Sequence, residues 1–561
     1  MNNSKDTENQ KLCNKPDSIN SVINKNKYST NKNSTNKNST NNINSSFSPS
    51  LKNQSQSSIK LFLSNCWQVK KNELPKFLGL SLLMFCILGI QNLIRATKDS
   101  VVNTLIGTET ISFLKFWGVM PASFLIAILY VKLISRFSPR QLFYSFIIMF
   151  LIFFTIFGFY LFPNYESIHL SKETTDLYIL KYPNLKWFIL LISNWSFSLF
   201  YVMAELWPGT IFSLLFWQFV NNSTTIEQSK RFYLTFSLIG QTGLILSGQF
   251  LMNLPHMSLF FRENFDFFCN CTTSTIALEI TITTVITLGI AAIILYYYVD
   301  RLLGKNNDSE LQNSKINQNN NSKKNNKSKP SLTDSFKMIG KSRYIRLIAI
   351  IVICYGTAIN LVEGPWKKQA SILYNTPEEF AAFVGSYLNY TGILTLLFVI
   401  IGSNIVKIFG WFATAIISPI ILLLTGLAFF ILDNFDSTRI TIATYFMFAN
   451  PLALVISVGA IQNILTKSSK YTLFDSTKEM SYVPLDPELK TKGKAAVDVV
   501  GTKLGKSLSA FIQSLIFTIF PQLDLQSISM FLMFIFIFIC IIWIKSLIEL
   551  SKEYNNACLE K

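Results

Sequence analysis

Long apolar runs separated by short polar stretches dominate the chain. Each run is near the twenty residues that a helix needs to cross hydrocarbon about 30 Å thick. The runs fall at about 76–97, 111–134, 141–162, 186–220, 231–252, 277–300, 343–364, 380–402, 411–432, 440–465, 494–520 and 526–548. The fourth exceeds one ordinary helix and contains Trp207-Pro208-Gly209, which predicts a kink there or a long tilted span. Counted once, it gives twelve spans in two sets of six. Ten-residue segments of alternating polarity, the mark of a membrane β-barrel, do not occur. The expected fold class is an all-α polytopic membrane protein with twelve transmembrane helices in two six-helix halves.

The polar remainder sets the organisation. Residues 1–75 form an Asn/Lys/Ser-rich tail in which STNKN at 29–33 repeats at 34–38. Such a segment buries too little apolar surface to offset its ordering entropy and is expected to be disordered. It lacks a signal peptide's apolar core, and up to residue 70 it has no arginine of the kind a mitochondrial presequence uses. Residues 301–342 form a second low-complexity stretch between an N-terminal half, 76–300, and a C-terminal half, 343–548, with a short tail at 549–561. Lysine and arginine concentrate in the 301–342 linker, around Arg136 and Arg140, and in 467–492, whereas 163–185, 253–276 and 433–439 are poor in them. The positive-inside rule therefore places both termini and the linker in the cytoplasm. Six spans plus six with a cytoplasmic linker suggests two halves related by an axis along the membrane normal, the layout of major facilitator transporters.

Composition narrows the function. Charged residues make up 15% of the chain against 50% hydrophobic, so the net charge of +18 reflects topology and an anionic solute before nucleic acid. Cys86, Cys354 and Cys540 lie in apolar runs and read as small hydrophobes. Cys269 and Cys271 sit one residue apart, a spacing that suits neither a relaxed disulfide nor zinc. The two histidines fall in predicted loops. No cluster for metal or nucleophilic catalysis is visible, so neither an enzyme nor a cofactor is expected.

The charges that enter the membrane are the informative ones. The stretch from Tyr482 to Ser507 passes from a basic loop into an apolar run and carries Lys494, Asp498, Lys503 and Lys506 towards hydrocarbon. An ionisable group at the bilayer centre costs about 2.5 kcal/mol or more, so these side chains are expected to line a polar pathway. The Gly501-Thr502-Lys503-Leu504-Gly505-Lys506-Ser507 segment is one residue too short between its glycines for a P-loop, and no strand precedes it. Gly501 and Gly505 fit close helix packing better.

A shift of 268 residues aligns Asn92-Leu93-Ile94-Arg95 with Asn360-Leu361-Val362-Glu363. It sets Arg95 on Glu363 and Asp99 on Lys367 with inverted charge. The expected gate between halves consists of Arg95–Glu363 and Asp99–Lys367 pairs. Glu205, midway along the fourth span, is a candidate partner for a substrate-site lysine. Lys98 and Lys506 are the candidate phosphate-facing cations, with Lys503 sharing much of the Lys506 face.

Several ordered motifs over roughly 75–550 resemble the ATP/ADP translocases of plastids, obligate intracellular bacteria and microsporidia. They are Pro484-Leu485-Asp486, the run from Lys492 to Gly501, Gly505-Lys506-Ser507, Arg95 with Thr97-Lys98-Asp99, Ala204-Glu205-Leu206-Trp207, and Asn360-Leu361-Val362-Glu363 with Trp366-Lys367. Leu508 and Ser509 stand where that family commonly has glycines. The resemblance implies exchange of ADP for ATP, with Lys98, Glu205, Glu363 and Lys506 as functional charges. The Asn/Lys-rich inserts look most like a microsporidian member, acting at a parasite's plasma membrane rather than a mitosome. GTP and GDP are further candidate substrates, and nucleic acid is not an expected partner. The alternatives are a net purine-nucleotide uniporter or proton symporter and, behind these, a facilitator for another solute.

Overall fold

The computed structural model describes residues 69–314, 342–486 and 501–559, together with 493, 494 and 497. The N-terminal tail, most of the linker, Asp498 and the side chain of Lys503 lie outside the described residues.

Within those residues the chain is helical, as hydrocarbon requires of a backbone that must satisfy its own polar groups. The first half contains α1 (Leu74–Leu105), α2 (Thr110–Ile134), α3 (Pro139–Leu161), α4 (Trp195–Ser223), α5 (Ile226–Met252) and α6 (Thr273–Leu303). The second contains α7 (Arg343–Leu373), α8 (Pro377–Val399), α9 (Ile408–Asn434), α10 (Pro451–Ser481), α11 (Thr502–Ile519) and α12 (Ser529–Leu559). Ten of these are long and apolar enough to cross a membrane by themselves. The exceptions are α5, which bends by 46° into the helix Leu254–Asn264, and α11, whose apolar part is only Leu504–Ile519.

Local sequence fixes several starts. Ser138-Pro139, Thr376-Pro377 and Asn450-Pro451 each place a capping side chain before a proline, and each cap accepts a backbone N–H of the first turn. The start of α9 is kinked at Gly410, whose φ of +77° is a glycine conformation. Pro208 starts a π-helical stretch through Phe216, so the expected irregularity in the fourth span is a widened turn.

Three expectations shift. The fourth span begins at Trp195, because Asn194 separates it from the short helix Lys186–Ser193. The tenth runs from Pro451 to Ser481, with residues 436–445 forming a separate helix, so most of the segment assigned to a cytoplasmic loop from 467 lies inside the bundle. His256 is helical.

Gly79 packs on Val299 and Arg343 pairs with Glu549, which sets the start of α1, the end of α6, the start of α7 and the end of α12 at one end of the bundle. This is the linker end; the other is the far end. Close packing depends on missing side chains. A Cβ on Gly248 of α5 would sit 2.6 Å from the Gly385 carbonyl of α8. Gly505 of α11 lies against Gly356 of α7 and its carbonyl accepts the Thr357 hydroxyl, in line with the packing role read from its spacing. Buried indoles add polar ties: Trp207 of α4 donates to Ile87 O of α1, and Trp366 of α7 donates to Ile456 O of α10. A Cβ on Gly459 would come within 2.0 Å of the Trp366 ring. Gly459→Ala is therefore expected to cost about 1–3 kcal/mol through overpacking, seen as a lower melting temperature of the detergent-purified protein.

Candidate functional site

Six buried or half-buried charges join into one chain of alternating sign. Glu205 on α4 lies 2.9 Å from Lys98 on α1, and Lys98 lies 2.5 Å from Asp99. Asp99 meets Lys367 of α7 at 2.8 Å, Lys367 meets Glu363 at 3.2 Å, and Glu363 reaches Lys467 of α10 at 3.5 Å. Three anions and three cations thus cross the protein from α4 to α10. Alternation is what makes their burial tolerable, because an unpaired charge in such a place is strongly destabilising. Aromatic faces flank both ends: Lys98 lies 3.9 Å from the centre of the Tyr201 ring and Lys467 lies 4.9 Å from that of Tyr387.

The Asp99–Lys367 bond is the one link of this chain that crosses between halves. Its two residues are 268 positions apart, the shift that aligns the halves in sequence. They therefore meet on the pseudo-two-fold axis, and inverted charge lets them bond there instead of repel. The other expected gate pair, Arg95–Glu363, is not formed in this conformation. Glu363 is held by Lys367 and Lys467, and Arg95 makes no ion pair among the described residues. The helix turn that brings Asp99 onto the axis leaves Arg95 one turn nearer the linker end.

Lys506 occupies the same side. Its side chain is exposed, it has no ion pair among the described residues, and it lies within electrostatic reach of Glu205 and Arg95. The site therefore presents two uncommitted cations, Arg95 and Lys506, beside a charge chain whose cations are all engaged. Lys494 does not join it. It pairs with Glu479 at 2.5 Å, both half-exposed at the linker end, so it forms a surface ion pair and not part of a pathway. Beside Glu363, a small cavity is lined by Thr108, Ser112, Lys115, Asn360 and Gln513. Two bonds cross between halves here, Lys115 to Asn360 at 2.8 Å and Ser112 to Gln513 at 2.5 Å.

Lys467 and Lys115 were not among the residues the sequence singled out. Lys467 fell two residues past the estimated end of the tenth run, and the polar Gln462-Asn463 pair one turn earlier was the signal that the helix continues as an inward-facing stripe. Lys115 lies in an apolar run with nothing in its spacing to single it out. No group of His, Cys, Asp and Glu suited to a metal occurs among the described residues.

A family model described as TLC ATP/ADP transporter matches residues 52–554. The chain is 54% identical over 500 residues to ADP,ATP carrier protein 4 of Rickettsia bellii, covering 89% of this chain and 94% of the relative. It is 42% identical to ADP,ATP carrier protein 3 of the same organism, covering 88% and 97%. These relatives are rickettsial and lend no support to the expected microsporidian affinity. Among solved structures, a bacterial homologue of the iron transporter ferroportin in an inward-facing state superposes with a TM-score of 0.52 at 13% identity, covering 85% of this chain and all of that one. That similarity bears on the fold alone, and it agrees with the major-facilitator-like layout expected from the span count.

Proposed function

Because the chain belongs to the TLC ATP/ADP transporter family, we propose that it exchanges ADP for ATP by alternating access, with both nucleotides as cargo and neither as fuel. The observation that carries this reading is the buried charge chain with Arg95 and Lys506 left uncommitted beside it. A neutral solute gives Arg95 and Lys506 no charge to bind. A polyphosphate carries several anionic oxygens and competes with carboxylates for ammonium groups.

Lys98, Glu205, Glu363 and Lys506 are the proposed substrate-site charges, with Lys503 beside them and Arg95 joining them. Asp99 and Lys367 are the proposed gate. The phosphates first meet Arg95 and Lys506. They then compete with Glu205 for Lys98 and with Asp99 for Lys367. The Asp99–Lys367 bond between halves weakens in turn, and the loaded carrier switches. An empty carrier keeps the bond and resists switching, which is what obligate exchange requires. A ligand can shift such an equilibrium only through contacts that differ between its states, and competition for Lys367 supplies that difference.

Positive-inside bias supports placing the linker and both termini in the cytoplasm. The far end then faces outward. The setting proposed is the plasma membrane of an intracellular organism that draws ATP from its host. Labelled ATP uptake by bacteria producing the protein tests the reading. Uptake should rise several-fold when the cells are preloaded with ADP and fall with unlabelled ATP or ADP as competitor, GTP and GDP serving to define the range. Uptake indifferent to preloading would replace exchange by net uniport or proton symport.

A further inference from the structure

Two buried carboxylates outside the charge chain hold the halves together at the far end. Glu109 stands at the start of α2 with 1% of its surface exposed. Its Oε1 accepts from Lys368 Nζ of α7 at 2.9 Å and from the Leu525 backbone N–H at 3.3 Å, in the segment entering α12. Glu378 stands at the start of α8 and is also buried. Its Oε1 accepts from the Thr273 hydroxyl at 2.7 Å and its Oε2 from the Ser274 hydroxyl at 2.6 Å, at the start of α6.

The two arrangements are counterparts. The 268-residue shift carries Glu109 to Pro377, the neighbour of Glu378. In each half the carboxylate opens the second helix and reaches the beginning of the sixth helix of the other half. Neither touches the alternating chain between Glu205 and Lys467. Gly107 delivers Glu109 to its place: its φ of +125° makes the turn after α1, and a side chain there would be strained.

We propose that Glu109 and Glu378 are paired positioning residues that keep the far side shut until the gate on the axis has yielded. Opening that side separates α2 from α12 and α8 from α6, so both carboxylates must give up their bonds in the same movement. Each is buried in the closed form, and a bond to a charged group there is worth enough to shift the closed-to-open ratio by about tenfold when it is lost. Two latches on opposite sides of the axis also prevent one edge from opening before the other. This inference rests on the alternating-access reading but not on the identity of the solute.

The test is side-specific labelling of the full chain in membranes. Ser509→Cys places a reporter in the cavity behind the latches, where Ser509 is buried. Cys269→Ser and Cys271→Ser remove the far-end thiols that would react first. An impermeant maleimide is added to intact cells and to inverted vesicles, and modification of the reporter is followed by peptide mass spectrometry. Labelling from the far side should be slow in the parent, faster in Glu109→Gln or Glu378→Gln, and about tenfold or more faster in the double variant. Lys368→Met combined with Thr273→Val and Ser274→Ala weakens the same latches with both carboxylates in place. It should act in the same direction, and it decides the matter if the Gln variants fail to accumulate. Far-side labelling that stays at the parental rate in an accumulated variant overturns the proposal. Which membrane face shows the increase reports orientation, and a failure of ATP exchange leaves the labelling result untouched.

Discussion

Asp99→Asn should remove exchange and sharply lower the thermal stability of the purified carrier, whereas Asp99→Asn combined with Lys367→Met should recover most of that stability. The reason lies in charge arithmetic along the buried chain. Asp99 touches both Lys98 and Lys367, and all three side chains are nearly free of solvent. Removing its charge leaves three cations facing two anions in a space that cannot hydrate the excess. Breaking a buried pair from one side costs about 3–5 kcal/mol, while replacing both partners by well-packed apolar groups is often neutral. The double variant keeps two complete pairs, Lys98 with Glu205 and Glu363 with Lys467. Its stability therefore returns although its link on the axis does not, and exchange should stay low. Melting temperatures of the two single variants and the double, with ATP uptake measured in parallel, form the cycle. A double variant no more stable than the worse single one would show that Asp99 and Lys367 are not coupled.

Lys506→Met and Arg95→Met should each raise the apparent KM for ATP and ADP by about tenfold or more, the worth of one hydrogen bond to a charged group. Stability should barely change, because neither cation balances an anion in the described ion pairs and Lys506 is exposed. The loss should grow with the number of phosphates, so ATP suffers more than ADP. Lys506→Arg should recover part of it, since the charge returns on a planar group of different reach. KM values that remain parental in both methionine variants would remove these residues from the phosphate path.

Much of this was legible before any coordinates. The twelve apolar runs follow from hydrophobic length, and Lys98, Asp99, Glu205, Glu363 and Lys367 stand out because charge is expensive where they sit. The pairing of Asp99 with Lys367 could be read from a shift of 268 residues, since positions related by a two-fold axis meet when they lie on it. Arg95 and Glu363 share the same shift yet do not pair. The shift says which residues are equivalent, but only helix rotation decides which of them face the axis. Lys467 was lost because the tenth run was ended at 465, well short of Ser481, and charge just beyond an apolar run reads as loop. Glu109 and Glu378 were invisible for another reason. Their partners lie more than a hundred positions away, and those partners are hydroxyls, a lysine and a backbone N–H with no spacing to mark them.

The inversion of charge on the axis also governs which polypeptide a half can recognise. Two copies of the first half would bring Asp99 against Asp99, and two copies of the second would bring Lys367 against Lys367. Either homodimer would bury like charges in contact, while one half of each kind buries an ion pair. Repulsion between the wrong partners is as effective a source of specificity as attraction between the right ones. The proposed gate residues thus also make the two halves obligate opposites, a pair that neither half can replace with its own duplicate.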